Sequence, residues 1–132
     1  MNAAPLLLNY LAYLGAGIGL WALSVLVYLW VTPIHELQLV RAGNVAAALS
    51  LSGAAFGLAL PLASLAEHAV GLADMVLWAV PSLALQVLFY VVAGRWKHAV
   101  AQMIGTDNRA VGALAGTVAV CLGVISAACL TY

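Results

Sequence analysis

The first 34 residues, Met1–Ile34, contain no charged side chain and no histidine. An apolar run of that length is too long to bury in one small globule, but it suits a bilayer, whose hydrocarbon core is about 30 Å thick. Leu11–Val31, 21 residues at about 1.5 Å each, reads as the first span. The run lacks the basic start of a secretory leader and is too long for a cleaved one, so it is expected to stay in the membrane. Three more stretches have the same character: Val45–Ala66, Met75–Gly94 and Ala110–Tyr132. None alternates apolar with polar residues, as the strands of a transmembrane barrel would. Helices satisfy every backbone amide within their own segment, which lipid requires. The sequence therefore predicts an all-α integral membrane protein with four transmembrane helices.

Composition limits the partners. Of 132 residues only 6% are charged and 67% are hydrophobic, whereas a soluble domain carries about 25% charge. Four Lys/Arg offset four Asp/Glu, leaving no basic stripe for a phosphate backbone. Nucleic acid is excluded as a partner, and the lipid bilayer is the expected one. All four basic residues fall in two loops: Arg41 between spans one and two, and Arg95, Lys97 and Arg109 between spans three and four. By the positive-inside rule these loops face the cytoplasm, so both termini and Glu67–Asp74 are expected outside. Trp30 and Trp96 would sit at the inner interface, and Tyr10, Tyr13 and Tyr132 at the outer one. Pro61 and Pro81 lie inside spans two and three, where each removes a backbone donor and favours a kink.

A shift of 64 overlays the second half on the first. Gln38 falls on Gln102, Asn44 on Asn108, Ala46 on Ala110, Ala55 on Ala119, Leu58 on Leu122 and Ala63 on Ala127. The expected organisation is two parallel tandem two-helix repeats, 1–66 and 67–132, related by an axis along the membrane normal. Chance matching among Ala-rich helices is the alternative. The even spans carry Gly53-x-x-x-Gly57 and Gly112-x-x-x-Gly116, small-residue faces that let helices approach closely in lipid. They read as helix packing, of span two on span four or between subunits, with pore lining as the alternative. Gly15-x-Gly17-x-Gly19 lies in apolar helix with no strand before it, so it is no phosphate loop.

Few polar residues are placed to carry chemistry. Glu67, His68 and Asp74 are the ionisable groups at the outer ends of spans two and three. At that depth they suggest an ion or proton site; the competing reading makes Asp74 the N-cap of span three and Glu67 simply interfacial. On the inner side, Thr32–Asn44 reads as a short interfacial helix, with Thr32 as cap, Pro33 in the first position and Gly43 as its stop. Ile34, Leu37 and Val40 would face lipid, and Glu36 and Arg41 would pair or meet a partner. Asn44 and Asn108 are expected to cap spans two and four, or to ring an inner mouth. Cys121 and Cys129 are eight apart on one helix, about 12 Å along its axis, too far for a disulfide. Buried packing is expected of both. No catalytic set, zinc spacing or cofactor motif can be assembled, so a non-enzymatic protein is expected.

Thr32-Pro33, Glu36 and the run Arg41-Ala-Gly-Asn-Val-Ala-Ala-Ala-Leu49 form one part of a signature. Leu58-Ala-Leu-Pro-Leu-Ala-Ser64, His68, Asp74 and Ala127-Ala-Cys-Leu-Thr-Tyr132 complete it. Together they resemble the domain of unknown function 350 family, the YjfL-type proteins of bacterial inner membranes. The resemblance covers nearly the whole chain and implies four spans in two tandem repeats; it implies no activity. An association with envelope-stress and polyamine-related genes is also implied. The second half departs from the family pattern at Thr106-Asp-Asn-Arg109 and at Ser126. Two functions are compatible with this reading. One is a homo-oligomer that passes or senses a small cation or proton, with Glu67, His68 and Asp74 at the outer mouth. The path would run between subunits, because four spans hold too few polar groups to line one alone. The other is a structural or adaptor subunit whose inner loops dock cytoplasmic envelope-stress proteins.

Overall fold

The computed structural model describes residues 3–31, 36–93 and 102–130. Helix α1 spans Ala4–Val31, α2 Glu36–Arg41, α3 Val45–His68, α4 Leu72–Ala93 and α5 Arg109–Cys129. Among the described residues there is no strand. Four of these helices are long and apolar enough to cross a membrane. Helix α1 begins well before Leu11 because Pro5 lies in its first turn, where a missing N–H breaks no helical bond. Its 28 residues extend about 42 Å, more than the hydrocarbon core requires.

The corners between helices follow from short-range chemistry. At the end of α2, Gly43 takes a left-handed φ of 88°. Gly43 N–H donates to Val40 O and Asn44 N–H to Leu39 O, a Schellman closure. Residues 102–105 form a helical turn that closes in the same way, with Asp107 at φ 61°. There Asp107 N–H donates to Ile104 O and Asn108 N–H to Met103 O. Each asparagine then caps the next helix. Asn44 Oδ1 accepts from Ala47 N–H and Asn108 Oδ1 from Val111 N–H.

The connection between α3 and α4 is shorter than expected, residues 69–71. Glu67 and His68 are therefore the last residues of α3. Asp74 is not an N-cap but lies inside the first turn of α4, and its Oδ2 reaches back to accept from Val70 N–H at 3.2 Å.

Helix α3 is the hub. It packs along its length on α5, while α1 and α4 cover part of its remaining surface. Because Ala46 meets Gly112 at one end and Ser64 Oγ donates to Ala127 O at the other, α3 and α5 run parallel. The seam consists of glycines: a Cβ at Gly53, Gly57, Gly112 or Gly123 would come within 3.0 Å of backbone on the facing helix. At Gly116 it would strike the Leu49 carbonyl. Gly53, Gly57, Gly112 and Gly116 thus join span two to span four within one chain. The main core gathers Leu58, Leu62 and Leu65 of α3 with Met75, Leu83 and Tyr90 of α4 and Tyr28 of α1. A smaller cluster of Ala46, Ala47 and Ile104 takes up Leu39 and Val40. Val40 therefore turns into the bundle, while Leu37 remains exposed.

One more expectation is corrected. Cys121 and Cys129 are free and exposed rather than buried, because the buried face of α5 is taken by Gly112, Gly116, Ala119 and Gly123. The expected roles of Thr32, Pro33, Arg95, Trp96, Lys97 and Tyr132 lie outside the described residues, as does the Glu36 side chain with its proposed Arg41 pairing.

Candidate functional site

Three polar groupings are held by this scaffold: one at the ends of α3 and α5 nearest the basic residues, one at the α3–α4 hairpin and one midway between. The middle one has no counterpart in the sequence reading. Pro61 lacks an N–H, so the carbonyl four residues before it, Gly57 O, loses its helical donor. Gln86 of α4 supplies the replacement: its Nε2 donates to Gly57 O at 2.8 Å and to Tyr90 Oη at 2.9 Å. Tyr90 O–H in turn contacts Ala119 O of α5 at 3.4 Å. The Tyr28 ring meets that of Tyr90 edge-on, with centroids 5.5 Å apart. Gln86 is 3% exposed and its Oε1 has no hydrogen-bond partner among the described residues. The amide cannot turn over, because a carbonyl such as Gly57 O only accepts. One side chain thus mends a proline defect and ties α4 to the glycine seam. Gly57 is also where Tyr90 Oη approaches; a Cβ there would lie 2.9 Å from it. The signal available in the sequence was the pairing of a proline inside one span with a lone amide inside the next.

At the basic end, the two asparagine-capped corners are bonded to each other. Asn44 Nδ2 donates to Ile104 O at 2.8 Å while its Oδ1 caps α3. Ala46 N–H, one of the open amides at the start of α3, donates to Asp107 Oδ1 at 2.9 Å. Asp107 therefore sits at the positive ends of two parallel helices, a favourable place for a carboxylate. Its contact with Arg109 is loose and wet, 3.8 Å between side chains 38% and 68% exposed, and contributes little. Asn44 and Asn108 are thus both engaged in capping, Asn108 while exposed. Around this corner Gln38, Arg41, Gln102 and Arg109 are exposed.

At the hairpin end, Glu67 and His68 are exposed. His68 Nδ1 donates to Ser64 O at 2.9 Å, and the Ser64 hydroxyl is engaged with Ala127 O. Asp74 serves the Val70 amide across the turn. Among the described residues no three His, Cys, Asp or Glu side chains gather as a metal site would require.

Comparison with known proteins agrees with the architecture. Residues 1–130 match the family model described as Domain of Unknown Function (DUF350). The UPF0719 inner membrane protein YjfL of Escherichia coli strain K12 is 33% identical over 132 residues, 100% of both chains. The protein of the same name from Escherichia coli O157:H7 has the same identity and coverage. No solved structure matches the chain.

Proposed function

The chain belongs to the domain of unknown function 350 family, and we propose that it is a non-enzymatic adaptor subunit of the bacterial inner membrane that docks a cytoplasmic protein on its basic end. The observation that carries this reading is the cross-bonding of the two corners. Asn44 to Ile104 O and Ala46 N–H to Asp107 fuse two loops that could otherwise move separately. A rigid edge loses less entropy on binding than a floppy one. The positive-inside rule places this edge in the cytoplasm and both termini outside. The matched corners, 64 residues apart and closed by equivalent backbone bonds, support two tandem two-helix repeats, 1–66 and 67–132. Photo-crosslinkers at Gln38, Gln102 and Glu67 test the docking. Adducts with a cytoplasmic protein are expected at the first two positions, weakened by Asp107→Ala. Adducts confined to Glu67, or none at all, overturn the proposal.

The exposed Glu67 and His68 favour a second reading, a homo-oligomer that passes or senses a cation or proton between subunits. Glu67→Gln with Asp74→Asn should then lower cation or proton flux in liposomes while folding persists. Unchanged flux and pH response in that variant would leave the adaptor reading alone.

A further inference from the structure

Helix α1 is not evenly packed. Its buried residues, Ser24 and Tyr28, lie in the half toward the basic end, whereas in the other half α1 stands away from α3 and leaves a slot of about 480 Å³. The slot runs from Tyr10 to Trp21 along α1, about 16 Å by the helical rise, which is close to one leaflet of a core about 30 Å thick. It is closed at the bilayer centre, because Trp21 Nε1–H donates to Ala55 O at 2.9 Å and clamps α1 to α3 there. The α3 wall is cut back to alanine at Ala59, Ala63 and Ala66. On the α1 side, Gly17 leaves room down to the flexible Met75 side chain, whose Cε would lie 3.8 Å from a Cβ. Among the described residues no charged side chain lines it, and Tyr10 and Tyr13 stand at its open end.

The geometry points to a binding site for one acyl chain of a phospholipid from the leaflet on the hairpin side. A helix of a second copy long enough to cross the membrane would need a groove running past Trp21, where the bond to Ala55 O closes the slot. A hydrocarbon chain reaching to mid-bilayer does not. It also needs no polar partner, and the slot offers none below its mouth. No Lys or Arg among the described residues lines the slot, and Arg41 and Arg109 lie at the opposite end of the bundle, so no described residue there selects an anionic headgroup. Recognition is of the chain, not the headgroup.

The test uses the full chain in nanodiscs of phosphatidylethanolamine or phosphatidylglycerol, released into detergent for native mass spectrometry. About one retained phospholipid per protomer is expected from either lipid. Gly17→Leu, whose Cβ would have only the Met75 side chain within 4 Å, and Ala63→Leu on the slot's α3 wall should reduce retention at least fivefold, while Ala84→Leu on the exposed face of α4 should not. As a second readout, Trp21 is kept as the sole tryptophan and quenched by phospholipid brominated near the chain end. That quenching should fall when Ala63→Leu is added. Unchanged retention and quenching in the filled variants overturn the site. Retention of only one headgroup overturns chain recognition, and a change of oligomer mass on filling would assign the slot to a second copy instead.

Discussion

Gln86 has a task that can be removed and restored. With Pro61 in place, Gly57 O depends on the Gln86 amide, so Gln86→Leu leaves a buried carbonyl and a tyrosine hydroxyl short of partners. The expected loss is about 1–3 kcal/mol, read as a lower unfolding midpoint in detergent. Pro61→Ala returns a backbone N–H to Gly57 O. If the repair argument holds, Gln86→Leu should cost distinctly less in the Pro61→Ala background than alone. Equal cost in both backgrounds would mean that the amide serves some other group. This pairing was hard to read from the sequence because proline was weighed only as a kink in its own span. Which neighbour would supply the missing donor depends on how α4 lies on α3, and no local pattern encodes that. Asp74 shows the opposite difficulty: a good capping residue was visible, but three residues of connection were enough, and the helix began before it.

At the scale of elements, the α3–α5 seam makes the glycines unequal. Gly57→Leu should unfold or badly destabilise the protein, since a first side-chain carbon already collides with the Ala119 carbonyl. Gly15→Leu should leave the melting curve nearly unchanged, since a Cβ there meets nothing within 4 Å. The reverse ranking would place α1, not α3, in the tight interface. The corners make a finer prediction. Asp107→Asn keeps a residue that tolerates left-handed backbone and can still accept from Ala46 N–H, so it should be mild. Asp107→Ala loses both advantages and should cost about 1–2 kcal/mol. Helix existence was legible because four charge-poor stretches are long enough to span. Gly123, which completes the seam against Gly57, escaped notice because it stands outside the two four-residue glycine pairs. The exposure of Cys121 and Cys129 was equally hidden: the glycines, not the larger residues, decide which face of α5 turns inward.

For the whole molecule, the proposed orientation rests on the positive-inside rule applied to four Lys/Arg in the sequence, and it can be checked directly. A reporter fused after Tyr132 should be active only as a periplasmic enzyme; activity of a cytoplasmic reporter there would reverse both the sidedness and the docking edge proposed above. The number of spans is a one-dimensional property, so the sequence carries it plainly. The arrangement of spans around α3, and the slot that α1 leaves against α3 beyond Trp21, depend on side-chain volumes meeting in three dimensions. Those become visible only with the packing in hand.

The parallel seam also dictates an order of manufacture. Its contacts link Ala46 to Gly112 and Ser64 to Ala127, so α3 enters the bilayer long before its mate has been made. At bacterial-scale synthesis rates of about 5–20 residues per second, the delay is on the order of 3–13 s. Throughout that interval α3 presents a bare glycine face, with the Gly57 carbonyl unbonded until α4 delivers Gln86. A newborn chain in this condition is exposed to mispairing with another apolar helix through its small-residue face. The residues that close the seam, Gly112 to Ala127, are thus the ones whose arrival ends the exposure of α3.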